Sequence, residues 1–156
     1  MSGVGLRWQM PEIPGLQQHI NRMLHLDKRG LLDAVGAEVE SQVRRRISAE
    51  KTDPGGKPWK AWSPNYAKTR HGGQSLLQSE GHLLDSITYL VAVDGSSVDI
   101  GSNLVYAAIQ NFGGAKVGKP NLPARPYLGL SAANRNDVRS TVVQWLERNW
   151  MEGSFA

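Results

Sequence analysis

Between Leu31 and Glu50 the apolar residues Leu32, Val35, Val39, Val43 and Ile47 recur every three or four positions. That spacing puts them on one stripe of a long helix. Asp33, Glu38 and Glu40 sit toward its start, and Arg44, Arg45, Arg46 and Lys51 toward its end, the arrangement a helix dipole favours. A stripe this long has to be buried, so whatever else the chain forms must pack against it.

The rest of the chain offers shorter pieces. Pro14 suits the first turn of a short helix carrying Leu16, Ile20, Met23 and Leu24. Asp53-Pro54-Gly55-Gly56 is a turn by composition, and Ser63-Pro64 reads as the cap and first turn of a short helix through Arg70. Leu76 to Leu84 reads as loop or short helix. Ile87, Tyr89, Val91 and Val93 alternate with other residues, Asp94-Gly95-Ser96-Ser97 turns the chain, and Val98 and Ile100 follow, the pattern of a hairpin. Leu104 to Phe112 is helical in character. A last helix is expected from Asn136 to Trp150, with Val138, Val142, Val143 and Leu146 facing inward. Together these predict an α+β fold: a small single domain of helices packed on a short antiparallel sheet, with an extended loop or arm between Tyr106 and Ser131. The domain is expected over residues 29–151, after an N-terminal segment, 1–28, that holds the first short helix.

At 156 residues the chain is long enough to bury a core without staples. Its hydrophobic fraction of 40% and charged fraction of 21% are those of a globular protein. No apolar run approaches the length a bilayer requires, and the first residues lack the apolar core of a secretory signal. The chain has no cysteine, which removes disulfides, thiol catalysis and thiolate zinc sites together. Folding in a cytoplasm is therefore expected.

Catalytic patterns are lacking. His19, His25, His71 and His82 do not fall at the i, i+4 spacing of a helical zinc site. Ser79-Glu80-Gly81-His82 holds the residue types of a triad, but adjacency is not convergence, and capping of a short helix at Leu83-Leu84 accounts for it better. "PGGK", "HGG" and "FGG" lack the strand and helix that a phosphate loop needs. No enzymatic activity and no cofactor are expected. The formal net charge of +4 permits contact with polyanions without demanding it. Arg44, Arg45 and Arg46, with Lys116 and Lys119, are the residues a DNA-binding or packaging accessory protein would use; a solvated helix end stabilised by the dipole explains the three arginines more simply. Trp59 and Trp62 fit either a core that fixes their loop or a subunit interface.

Four motifs in order are more specific: "DPGGKPWKAWSP", "GHLLDSI", "VDIGSNLVYAAIQNFGG" and "LPARPYLGLS". The series resembles the Mu-type phage virion morphogenesis family, related to phage tail completion proteins, over roughly residues 30 to 150. Gly55 or Gly56 with Trp59 answers the first motif, and Gly81, Leu83, Ser86 and Ile87 the second. Gly101, Asn103, Tyr106 and Ala107 answer the third. Phe112, Gly113 and the run from Pro123 to Gly129 answer the rest. Gln110-Asn111 stands where His-Gln is usual, and "DPGG" where Asp-Gly is usual. The resemblance implies a non-enzymatic virion protein at the neck or upper tail end, built as a homo-oligomeric ring, taken as a hexamer to match tail symmetry. It would complete the tail or join it to the head. Other neck and tail proteins are the implied partners, and DNA in the lumen a transient one. Trp59, Trp62, Tyr106, Phe112, Arg125, Pro126 and Tyr127 are the expected subunit contacts. For Arg125 two roles stay open: donating to a neighbour, or satisfying carbonyls of its own loop.

Overall fold

The computed structural model describes residues 25–152, and side chains as far as Asn149. The short helix expected around Leu16 to Leu24, with most of the N-terminal segment, lies outside the described residues.

Among the described residues, five α-helices and a two-stranded antiparallel sheet make a small α+β domain. The organising element is α1, Lys28–Arg45, which starts three residues before the apolar stripe suggests because Asp27 caps it, accepting from the Gly30 amide at 3.0 Å. Its last turn, Arg46–Glu50, widens into a π-helical turn closed by the Lys51 amide on the Arg46 carbonyl. Lys51 then leaves in the left-handed conformation (φ 55). Val39, Val43 and Ile47 are buried, as their spacing predicts, and so are Gln42 and Arg46 beside them.

The hairpin packs on one side of α1. Strands β1 (Thr88–Val91) and β2 (Val98–Gly101) pair in the register Tyr89↔Ile100 and Leu90↔Asp99. Gly36 lies where Tyr89 crosses the helix; any side chain there would run into the ring. Glycine in mid-helix costs about 1 kcal/mol of propensity, and here the close approach of the strand requires it. The Tyr89 hydroxyl continues to Asp33, donating at 2.9 Å.

Three shorter helices follow the motifs: α2 (Pro64–Ala67) capped by Ser63, α3 (His82–Ser86) and α4 (Ala107–Phe112). The Asp53–Gly56 turn forms as expected, with the Asp53 carboxylate accepting from the Lys57 amide at 2.9 Å. The last helix, α5 (Ala132–Glu152), begins four residues before the expected Asn136. Ser131 and Asn134 exchange hydrogen bonds across its first turn, a reciprocal cap. This changes which side faces inward. Asn134, Val138 and Trp145 turn to the core side, whereas Val143 and Leu146, expected there, are 45% and 37% exposed. The rotation is set by polar contacts at the crossing: Gln42 Nε2 donates to the Asn134 carbonyl, and Arg46 to its side chain.

Candidate interaction surface

Between Tyr106 and Ser131 an extended loop or arm was expected; past α4 the irregular part of it is Gly113 to Leu130. Only the first half of that part is an arm. After Gly113 the chain runs through a short 3-10 turn, Ala115–Val117, whose residues are exposed. From Leu122 it is drawn into the subunit by hydrogen bonds from every side. The Arg125 amide donates to the Gln110 carbonyl, and Arg125 Nε to the Lys60 carbonyl at 3.0 Å. Trp59 Nε1 donates to the Pro126 carbonyl at 2.9 Å. The Asn111 side-chain oxygen accepts from the amides of both Tyr127 and Leu128. The Tyr127 hydroxyl donates to the Ala107 carbonyl at 3.0 Å.

Arg46 completes the set. Its guanidinium donates to the carbonyls of Tyr127 (3.0 Å) and Gly129 (2.7 Å) and to the Asn134 side chain. Glu50 lies 3.8 Å from its Nε. Desolvation by burial pulls the Arg46 pKa below its ordinary value, and Glu50 opposes that shift. A guanidinium with three acceptors at fixed angles needs the planar fork of arginine.

These contacts relocate four of the expected interface residues. Trp59, Arg125 and Tyr127 are at most 6% exposed, and Pro126 is half-buried beneath Trp59; all four fasten the return strand within its own subunit. Arg125 bonds neither of the acceptors expected for it, a neighbour or its own loop; its Nε reaches the Lys60 carbonyl of the Trp59 loop in the same subunit. Burial lowers its pKa, and raises that of Tyr127. Gly113 marks the junction: at φ 79, with the Ala124 amide against it, the position accepts only glycine.

What remains on the outside is distinct. Phe112 is 76% exposed at the end of α4, with Val105, Tyr106 and Val117 also exposed around it in sequence. Beside Tyr106 opens a cleft of about 1180 Å³, between the Trp62–Arg70 segment, the Ser75–Leu83 segment and the Gly118–Arg125 loop. Trp62 meets Tyr66 edge to face at 5.9 Å, and the Arg70 guanidinium lies 4.4 Å over the Tyr66 ring. Lys51 holds one wall in place. Its ammonium donates to Ser75 Oγ, the Leu76 carbonyl and Gln78 Oε1, as well as to the Ile47 carbonyl behind it.

The basic set expected for DNA is dispersed. Arg44 faces Glu40 and Asp85, Arg45 pairs with Glu50 at 3.0 Å, and Arg46 is buried, so the arginine run presents no row of unpaired charges. The correction is sharpest for Arg46, which cannot reach a phosphate without abandoning its three acceptors. Lys116 and Lys119 are exposed on the loop. His82 contacts Glu80 at 3.1 Å on the surface, and Ser79 accepts from Gln74 rather than joining them. Among the described residues no three His, Asp or Glu side chains converge as a metal site would require, and no described helix is long and apolar enough to cross a membrane.

Asn111 and Lys51 are the consequential residues that sequence reasoning missed. Asn111 lay inside a motif but was read only as a departure from it; a polar residue one position before the exposed Phe112 was its sole signal. The Ser131–Asn134 cap was legible in principle, from serine followed three residues later by an amide side chain.

The fold brings the four sequence motifs together. Ser86 of the second motif and Ser102 of the third hydrogen-bond at 2.7 Å, and the fourth motif closes on the first through Trp59 and Pro126. No curated protein and no solved structure matches the chain. A match to the phage virion morphogenesis family spans residues 13–147, most of its length, and the chain belongs to that family.

Proposed function

We propose that the protein is a structural component of the neck or upper tail end of a tailed phage. There its copies close into a ring, a hexamer, that completes the tail or joins it to the head. Family membership makes it a virion assembly protein; the position and the ring are the finer reading. It works through contacts rather than catalysis, with other neck and tail proteins above and below and with DNA passing only transiently through the lumen. It is made in the host cytoplasm and ends in the virion.

One observation carries this reading. Val105, Tyr106, Phe112 and Val117 expose large apolar side chains at 99%, 42%, 76% and 63%, and the first three lie on or next to α4, whose Ala107, Gln110 and Asn111 hold the return strand. Apolar side chains gathered on a surface mark places where proteins meet. Their rigid support lowers the ordering cost of binding.

The test is the location of the protein and the fate of particles lacking its contacts. Gold-labelled antibody on intact virions is expected at the neck or upper tail end; label on capsid faces or fibres would overturn the assignment. A phage carrying Phe112→Ser is expected to accumulate filled heads and unjoined tails, seen by electron microscopy. A DNA-binding accessory role would show instead as steeply salt-dependent DNA affinity of the subunit.

A further inference from the structure

We propose that the β-hairpin tip of one copy seats in the Trp62–Lys119 cleft of the next copy, a head-to-tail contact. The inference rests on the ring reading above and specifies which surfaces meet in it.

The cleft is basic and aromatic. Lys60, Arg70 and Lys119 line it together with Trp62, Tyr66 and Tyr106, and the only acid among its described lining residues is Glu80, which already faces His82. Arg70 Nε is buried there with no hydrogen-bond partner among the described residues. At about 1180 Å³ the cleft is larger than the ~300–1,000 Å³ typical of small-molecule sites. It suits a protein segment bearing carboxylates and apolar side chains.

The hairpin is such a segment. Its inner face, with Tyr89 and Ile100, packs on α1. Its outer face carries Leu90, 72% exposed, directly across the ladder from Asp99. Val93, 93% exposed, and Asp94 follow at the tip. The Asp94 carboxylate accepts from both the amide and the hydroxyl of Ser96, which fixes the tip. Apolar and acidic groups thus project from one surface, and their complements line the other.

The two surfaces also lie at opposite ends of the subunit. Gly95 of the tip rests against the backbone of Arg29 at the start of α1, whereas the cleft wall hangs on Lys51 beyond its far end. With 18 residues at ~1.5 Å each, α1 separates them by about 27 Å. A copy cannot fill its own cleft, but it can fill a neighbour's. Two different patches meeting in this way form a heterologous contact, the kind that closes into rings.

The absence of cysteine from the chain makes the test clean. Phage particles are prepared whose copies carry Val93→Cys and Asn121→Cys, both at exposed positions, and are treated with a short bismaleimide. Immunoblotting is expected to show a ladder of covalent multimers, while each single variant stays monomeric. If the double variant gives no ladder where a lysine-reactive cross-linker does, the contact is wrong and the ring stands. If neither reagent joins copies, the ring reading fails and takes the contact with it. Asp94→Lys with Asp99→Lys is expected to cut completed particles at least tenfold, and Lys60→Glu with Lys119→Glu to restore part of that loss; unchanged particle yield would overturn the proposal. So would quenching of a fluorophore at Asn121→Cys by a single-stranded oligonucleotide, if Lys60→Glu abolished it without harming assembly, because that would assign the cleft to nucleic acid.

Discussion

The two halves of the Gly113–Leu130 segment are both broken by glycine and proline and both carry cations, yet they have opposite fates. The first half is exposed from Ala115 through Asn121 and bonded mainly to itself, by short-range contacts such as the Lys119 amide on the Gly114 carbonyl. The second half is fastened by Arg46, Trp59, Lys60, Gln110 and Asn111, residues from three separate parts of the chain. Proline and glycine content alone therefore does not identify a mobile arm. What decides is whether the backbone's hydrogen-bonding groups find partners elsewhere in the fold.

Substitution can break this contrast. Arg46→Met should have the largest effect, because it strands the carbonyls of Tyr127 and Gly129 and leaves the Asn134 side-chain oxygen only the Ser131 amide. At ~1–3 kcal/mol for each unsatisfied buried group, a loss of about 3 kcal/mol or more is expected in urea unfolding. A loss under about 1 kcal/mol would show that the return strand holds without its hub. Asn111→Ala should follow at roughly 1–3 kcal/mol, since two buried amides lose their acceptor, and amide exchange at Tyr127 and Leu128 should quicken.

Tyr127→Phe is expected to cost about 1 kcal/mol through its lost bond to Ala107. It also carries a pH signature. Burial raises the pKa of the phenol in the folded state, whereas the unfolded phenol ionises near pH ~10. Below that value its contribution is complete. As pH rises from there through the folded pKa, only the unfolded chain releases the proton, and stability falls. The gap between wild type and Tyr127→Phe should therefore narrow above pH ~10 in thermal melts; a constant gap would contradict the burial. On the exposed side, Phe112→Ser and Lys119→Ala should each change subunit stability by no more than about 0.5 kcal/mol. Phe112→Ser should nonetheless impair particle assembly, and that separation of folding from assembly is the sharpest form of the comparison.

The same contrast explains what was legible in advance. The α1 stripe, the Asp53–Gly56 turn, the Ser63 cap and the hairpin are local: each depends on residues within a few positions, and a sequence displays them directly. The fastening of the return strand is not local. Trp59 and Pro126 stand 67 positions apart, and Arg46 and Asn134 stand 88 apart. No periodicity links such pairs, so tryptophan, arginine and tyrosine looked equally suited to a neighbour's surface. The two arginines show the limit well. Arg45 and Arg46 are adjacent and chemically identical, yet one pairs with Glu50 at the surface and the other is buried as a hub. Only the rotation of α1 against α5 tells them apart. Val143 and Leu146 were misplaced for the same reason, since polar contacts at Asn134 rather than hydrophobicity set the face of α5.

The π-helical turn and the Lys51 that follows it have a mechanical meaning. The ammonium ties the end of α1 to the Ser75–Gln78 wall, while the hairpin lies along the same helix toward its start. The helix is thus a strut with the hairpin tip at one end and the cleft wall at the other. In a closed ring of such subunits, the angle between neighbours is inherited from the strut, and any tilt at one joint is repeated at every other. A residue inserted into α1 would rotate one end against the other by about 100°, and because Val39, Val43, Arg46 and Ile47 are buried along it, the same step would take the core and the joint out of register together.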